Sequence, residues 1–431
     1  LQPIIQQNFL EREFQDSLQA KLGFRAVADR VDFPNGVGET ITRTRAGLLQ
    51  IPAAPLAPSA NTNFDNGLTS QNWGVEQYTL TINEYAATID LNTVTERVGL
   101  ASQFMMNASR LGEQAFRKLD TLALNALRDT YMGGNTSVRT TNGSAGTAVH
   151  VDDIRGFQTT FNAVGQVVSV SGSNPVSVVV GSDSYSLISS AADANNVSAA
   201  AAQGGISGTL TFAGNVTSSD ATAGNAVISA IAPIILRPNG RTTTAALQTG
   251  DTLLMVATIL DAASTMRDNA VPDVDGAYNC YLSNRQLQGL FADNDFKTLF
   301  RGAYQSEEYR QGSIFELMGV RFVPVNNVVP PQVVSGNNIY RAMLCGQGAL
   351  IEGDFAGQDA EDVPGNIGVK NVVDGITMIT REPMDRLQEI IAQSWKWIGG
   401  FCVPSDTTAN PSVIPTASNS AFKRAIVLES L

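Results

Sequence analysis

Seven apolar residues, Phe104, Ala108, Leu111, Ala115, Leu119, Leu122 and Ala126, recur at steps of 4, 3, 4, 4, 3 and 4. That rhythm lays one apolar stripe along one face of a helix. Thr93-Val-Thr-Glu96 carries the capping-box pattern ahead of it, and Gly133-Gly134 stop it. A helix over this span is roughly 50–55 Å long at ~1.5 Å per residue, which makes it a strut. Gly112 lies inside it, where it either permits a bend or admits another element at close range.

The stretch before the strut is organised differently. FRAVADRVDF and ETITRTRAGLL read as extended pieces on either side of the turn PNGVG, and in EQYTLTINEYAATIDLN the residues Tyr78, Leu80 and Ile82 alternate with polar ones. Between the extended arms lies QIPAAPLAPSANTNFDNG at 50–67, with three prolines and a polar tail. The outline is a long β-hairpin, and a two-stranded hairpin alone in water is marginal. It needs a surface supplied by something else, for which Ile51, Leu56, Phe64 and Trp73 offer apolar contact. Upstream, Leu10, Phe14, Leu18 and Leu22 at a spacing of four predict an amphipathic N-terminal helix.

Beyond the strut, VDDIRGFQTTFNAV at 151–164 predicts a second helix. From about 165 to 250 the chain turns to Ser, Thr, Gly, Val and Ala, and GQVVSVSG, NPVSVVVGSDSYSLI and GTLTFAGNVTS read as short strands of a β-rich insertion. TLLMVATILDAASTMRDNAVP predicts a helix ended near Pro272, followed by strand AYNCYL and helix NRQLQGLFAD. GVRFVPV, IYRAMLCG, GITMITR and AIVLES read as strands. RLQEIIAQSWKWIGGFCV at 386–403 satisfies both periods, and its aromatic and β-branched content with a Gly399-Gly400 stop favours strand.

The 431 residues are 43% hydrophobic and 16% charged, a globular composition with surfaces suited to meeting other protein surfaces. A net charge of -12 without a Lys/Arg block argues against nucleic-acid binding by phosphate neutralisation. Cys280, Cys345 and Cys402 are too scattered for a disulfide framework, which fits a reducing compartment. LQPIIQQNFL lacks the features of a secretory signal, and its missing Met reads as processing or trimming. The most apolar run, AVISAIAPIIL, is too short to span a bilayer, so the expectation is a soluble cytosolic protein with no membrane partner.

Catalytic constellations are missing from the pattern. The single histidine, His150, has no ligand or triad partner at useful spacing and reads as an ordinary polar residue at a strand or loop edge. No phosphate-binding glycine loop or nucleophile elbow occurs. Glu352, Asp354, Asp359, Glu361 and Asp362 supply oxygens for a divalent cation but lack EF-hand spacing, so a solvated loop is the reading. PDVDG at 272–276 reads as a turn. Glu11, Glu13 and Asp16 are charge-complementary to Arg43 and Arg45 of a neighbouring arm, against the plainer reading of two solvated faces. The expectation is a protein that is not an enzyme and uses no cofactor or metal.

Taken in order, these parts resemble the major capsid protein of tailed bacteriophages, the Hong Kong 97-type α+β fold. YNCYLSNRQLQGL and the following FKTLFRGAYQSEEYRQGSIFELMGVRFVPVNNV are similar to the coat-protein stretch G-x-I-x-x-x-x-G-V-x-x-V/P, at Gly312, Ile314, Gly319, Val320 and Pro324. The resemblance implies an N-terminal arm at 1–32 with contacts through Leu10, Phe14 and Leu18. It implies an extended loop at 33–92 with intersubunit contacts through Ile51, Leu56, Phe64 and Trp73, then a spine helix and the start of a peripheral domain at 93–150, with Gly112 as hinge. A core helix at 151–164, the insertion at 165–250, an axial domain at 251–345 and peripheral strands with the C-terminus at 346–431 complete it.

The function so implied is a shell of hexamers and pentamers of this chain around double-stranded DNA, carried as cargo without specific binding. Portal, scaffold and decoration proteins are the expected partners, the virion the location and the host cytoplasm the place of assembly. Some members of the family crosslink their shells through a lysine in the extended loop. This chain has no lysine between 22 and 117, so a non-crosslinked shell is expected. The alternative, from 165–250 and the Ser/Thr/Asn content, is a secreted β-rich surface or adhesive protein of a bacterium.

Overall fold

The computed structural model describes residues 23–34, 38–46, 75–92, 103–162, 166–247, 254, 256–293, 296, 316–325, 331–334, 336–355, 369–373, 375–381, 386–387, 389–406 and 421–431. These form an α+β chain of two compact units. The first unit draws on Leu1–Thr42, Thr79–Leu127 and Gly348–Val403, the second on Arg43–Tyr78, Arg128–Gln347 and Pro404–Leu431.

The first unit is built on the strand Ile390–Cys402. Asn83–Asn92 pairs with it antiparallel over ten positions, from Asn92 opposite Ile390 to Asn83 opposite Gly399. Ile376–Arg381 and Leu350–Phe355 pair with it as well, and Ala28–Phe33 adds in parallel on Leu350–Phe355. The ambiguous 386–403 segment is therefore strand, with Gln393, Trp395, Trp397 and Gly399 alternately buried. Gly399-Gly400 do not stop it. A Cβ on Gly400 would lie 1.9 Å from the Thr81 carbonyl oxygen, so the glycine admits the backbone that leads into Asn83–Asn92.

Helix α1, Gln103–Tyr131, lays its stripe on this sheet. Ala108, Leu111, Ala115 and Leu119 are buried with Ile376, Met378, Trp395 and Trp397, and Phe104 and Leu122 pack at the margins. At ~1.5 Å per residue its 29 residues run roughly 43 Å. Gly112 is buried within it, and the proposed cap at Thr93–Glu96 lies outside the described residues. Toward its end the buried positions become Ala123, Leu124, Leu127 and Tyr131. The stripe drifts because the apolar repeat does not match 3.6 residues per turn.

The second unit holds two larger sheets. One is antiparallel, in the order Asn135–Ser137, Ala226–Ser229, Val176–Val180, Asp183–Ala192, Gly208–Val216, Gly146–Val151. The β-rich module therefore starts at 135 rather than 165 and ends its sheet at Ser229, because two short strands before 165 carry too little alternation to be recognised. The predicted helix at 151–164 is not formed over its described residues. Val151 ends a strand, Thr159–Phe161 is another, and a turn lies between them. The Asp153 side chain accepts from the backbone N–H of Arg155 and Ile206, which competes with helical bonding. Gly156 sits at φ +77, where a Cβ would come within 2.2 Å of the Gly134 nitrogen.

The other sheet runs Ile235–Leu236, Ala425–Ser430, Asn337–Cys345, Tyr278–Leu282, Val320–Pro324, Glu316–Leu317, with Gln332–Val334 beside Asn337–Cys345. The last strand thus belongs here and not with the rest of 346–431, since its partner Asn337–Cys345 lies upstream. Helices α2, Val256–Asp268, and α3, Asn284–Ala292, cover its core of Ile259, Met266, Cys280, Leu290, Phe322 and Leu428. Ser283 and Gln286 close a capping box at the start of α3.

Candidate assembly elements and their anchors

The arm and the extended loop both have roots among the described residues. The N-terminal root is a 3-10 turn, Phe24–Val27, with Phe24 and Val27 buried. Asp120 of α1 accepts the Phe24 N–H at 2.7 Å, in a buried bond between residues far apart in sequence. Arg25 adds a bidentate pair to Glu352, with Nε to Oε2 at 3.0 Å and a terminal nitrogen to Oε1 at 2.5 Å. Glu352, expected in a solvated acidic loop, is 2% exposed and answers Arg25 and Arg30. Asp354 is half-buried, whereas Asp359, Glu361 and Asp362 lie outside the described residues.

The hairpin is rooted as well. Thr40–Ala46 and Val75–Thr81 form a two-stranded sheet, and Ile82 N–H donates to the Glu39 carbonyl at 2.9 Å. Arg45 reaches the Ser405 carbonyl at 3.3 Å and Asp406 Oδ1 at 3.4 Å. Asp406 is fully buried and also accepts from Arg424 Nε at 2.8 Å and the Lys423 N–H at 3.3 Å. Arg45, matched above with Glu11, Glu13 and Asp16 of a neighbour's N-terminal helix, is engaged within its own chain. The alternation in TITRTRA carries no sign of this, because the partner is 361 residues away. Leu10, Phe14, Leu18, Ile51, Leu56, Phe64 and Trp73 all lie outside the described residues.

A third cluster stiffens the second unit. Glu429 bonds Arg237 Nε at 2.6 Å and Arg341 Nε at 2.8 Å, and Thr244 Oγ1 donates to it as well. Burial alone would raise the Glu429 carboxyl, but the two guanidinium groups hold it at about 2. Asp220 is held at about 2 chiefly by the Tyr185 hydroxyl at 2.7 Å, with further bonds from Ser182 and Thr217.

The residues with chemical potential are quiet. His150 lies on a strand with Nδ1 2.9 Å from the Thr209 hydroxyl of the next strand. Cys280 and Cys345 are buried, and burial pushes the Cys280 thiol up to about 12. Among the described residues no group of three or more His, Cys, Asp or Glu side chains could hold a metal ion, and no helix is long and apolar enough to cross a membrane. PDVDG forms the turn read from its sequence, bridged by Val274 and Ala277.

No protein-family model matches the sequence, and no curated protein does. Among solved structures, the chain is similar to the capsid of Ralstonia phage GP4, with 13% identity, a TM-score of 0.49 and coverage of 94% of this chain and 87% of that one. It is similar to the head structure of Helicobacter pylori bacteriophage KHP40, at 10% identity, a TM-score of 0.48 and coverage of 94% and 90%. The capsid of cyanophage P-SCSP1u matches at 12% identity with a TM-score of 0.47, covering 95% and 89%.

Proposed function

We propose that this chain is the coat subunit of a tailed-phage head, a Hong Kong 97-type capsid protein that builds a closed shell from copies of itself. One observation carries the reading. The hairpin Thr40–Ala46/Val75–Thr81 is a two-stranded sheet, tied through Arg45 to a fully buried carboxylate. Tyr78 and Leu80 bury part of this ribbon within its own chain, but no third strand among the described residues pairs with its edges. A second copy of the chain supplies the missing surface, and symmetry repeats that contact around a hexamer or pentamer.

The same reading assigns Ile51, Leu56, Phe64 and Trp73 to contacts made by the loop, and Leu10, Phe14 and Leu18 to contacts made by the arm. Gly112 is the point at which the spine helix yields during expansion. With no lysine between 22 and 117 the shell stays non-crosslinked, so boiled particles should run as single chains in denaturing electrophoresis. Portal, scaffold and decoration proteins are its partners, assembly takes place in the host cytoplasm, and DNA is enclosed without a specific site. The balance of -12 keeps the packed genome from adhering to the wall. Negative-stain imaging of the purified chain tests the proposal: closed particles of uniform diameter are expected, and a monodisperse monomer under all assembly conditions would overturn it.

A further inference from the structure

Within the second unit a cavity of about 130 Å³ lies where the antiparallel module meets the seven-stranded sheet. This volume is enough for several waters. Charged groups from both sheets line it: Arg139, Asp152 and Asp153 from the module, Arg341 and Glu429 from the other. The carboxylates are largely taken. Asp153 is spent on Arg155 at 2.7 Å, Glu429 on Arg237 and Arg341, and Asp152 Oδ1 accepts the Ala199 N–H at 2.9 Å.

Both arginines are ion-paired too, but each keeps a donor in reserve. Arg139 gives one terminal nitrogen to Asp193 at 2.6 Å, but its buried Nε has no partner. Arg341 uses Nε on Glu429 and one terminal nitrogen on Gln332, leaving the other. Arg128, in the last turn of α1 just ahead of the cavity-lining Met132, makes no side-chain hydrogen bond among the described residues. Burial depresses its guanidinium, and Arg341 and Arg155 depress it further. Of these donors Arg139 Nε is the one buried without an acceptor; such a donor is costly, and a charge-assisted bond to an anion would satisfy it.

We infer that this cavity binds a single small oxyanion of the phosphate class, held by Arg139 and Arg341 within the field of Arg128, as a tie between the two sheets. The inference concerns the second unit alone and is independent of shell formation. Asp152 is the opposing group: its carboxylate faces the same space, and burial raises its pKa.

The test is thermal unfolding of the full chain against inorganic phosphate, with sodium chloride at matched ionic strength as control and a short single-stranded oligonucleotide as the other phosphate source. Phosphate should give a saturable rise of about 3 °C over chloride. Arg139→Gln should weaken the half-saturation about tenfold. Arg128→Gln breaks no hydrogen bond, so it should weaken phosphate stabilisation several-fold while leaving the phosphate-free unfolding temperature in place. Asp152→Asn should tighten it. No saturable rise above chloride overturns the site, as does a rise with the oligonucleotide alone. Loss of the effect in Asp152→Asn overturns the sign of the ligand, since a bound cation would need that carboxylate.

Discussion

In the first unit, Trp395 and Trp397 on one strand meet Ala108, Leu111, Ala115 and Leu119 on a helix, and Tyr85 stacks on Trp397 at 5.9 Å from a strand more than 300 residues upstream. In the six-stranded module the buried residues are chiefly valine on neighbouring hairpin strands, and polar turns such as that around Asp220 close the ends. Distant segments are joined by a few large apolar anchors, whereas adjacent ones are joined by many small contacts and local hydrogen bonds. Damage should therefore be concentrated in the first region and dispersed in the second.

The largest expected effect is at the anchor. Trp397→Ala should cost about 3–5 kcal/mol in denaturant unfolding, by removing a side chain that is 1% exposed. A loss under ~1 kcal/mol would mean that the helix and sheet do not depend on it. Glu429→Gln comes next at about 3 kcal/mol, because Arg237 and Arg341 would stay buried without their counter-charge.

The same carboxylate makes stability depend on pH. Its folded pKa, about 2, lies below the ordinary 4.5, so the contribution is present above about 4.5 and is lost as pH falls toward 2. Acid titration of the wild type should show this loss, and Glu429→Gln should flatten it. Asp220→Ala should cost about 1–2 kcal/mol, read as faster amide exchange confined to Gly181–Tyr185 and Thr217–Ala221. The smallest change belongs to Glu113→Gln on the exposed face of α1, where pairs with Arg110 and Arg117 contribute about 0.3–0.5 kcal/mol. If Asp220→Ala matched Trp397→Ala in global cost, the contrast between the two regions would fall.

Sequence reading succeeded where a local rhythm decided the outcome. Val176–Val180 alternates in burial as its valine pattern predicts, and the stripe from Ala108 to Leu119 faces the core. It failed where a distant segment decided. Nothing near VDDIRGFQTTFNAV announces that Gly156 must pass against Gly133-Gly134, or that Ile206 will claim the Asp153 side chain. AIVLES is recognisable as a strand, but its neighbour in the sheet is not. Arg45 and Glu352 read as surface charges, and Glu429 as no more than part of a strand, because their partners lie far along the chain, and only the fold shows each as half of a buried pair.

The parallel pairing of Ala28–Phe33 with Leu350–Phe355 sets a schedule for the nascent chain. A ribosome adding about 5–20 residues per second needs roughly 15–60 s between exposing the first of these strands and making the second. Throughout that interval the N-terminal strand has no edge to join, while the valine-rich module between them is already complete. The strand that comes out first is therefore among the last to be docked, and its wait is a window in which a chaperone has something to hold.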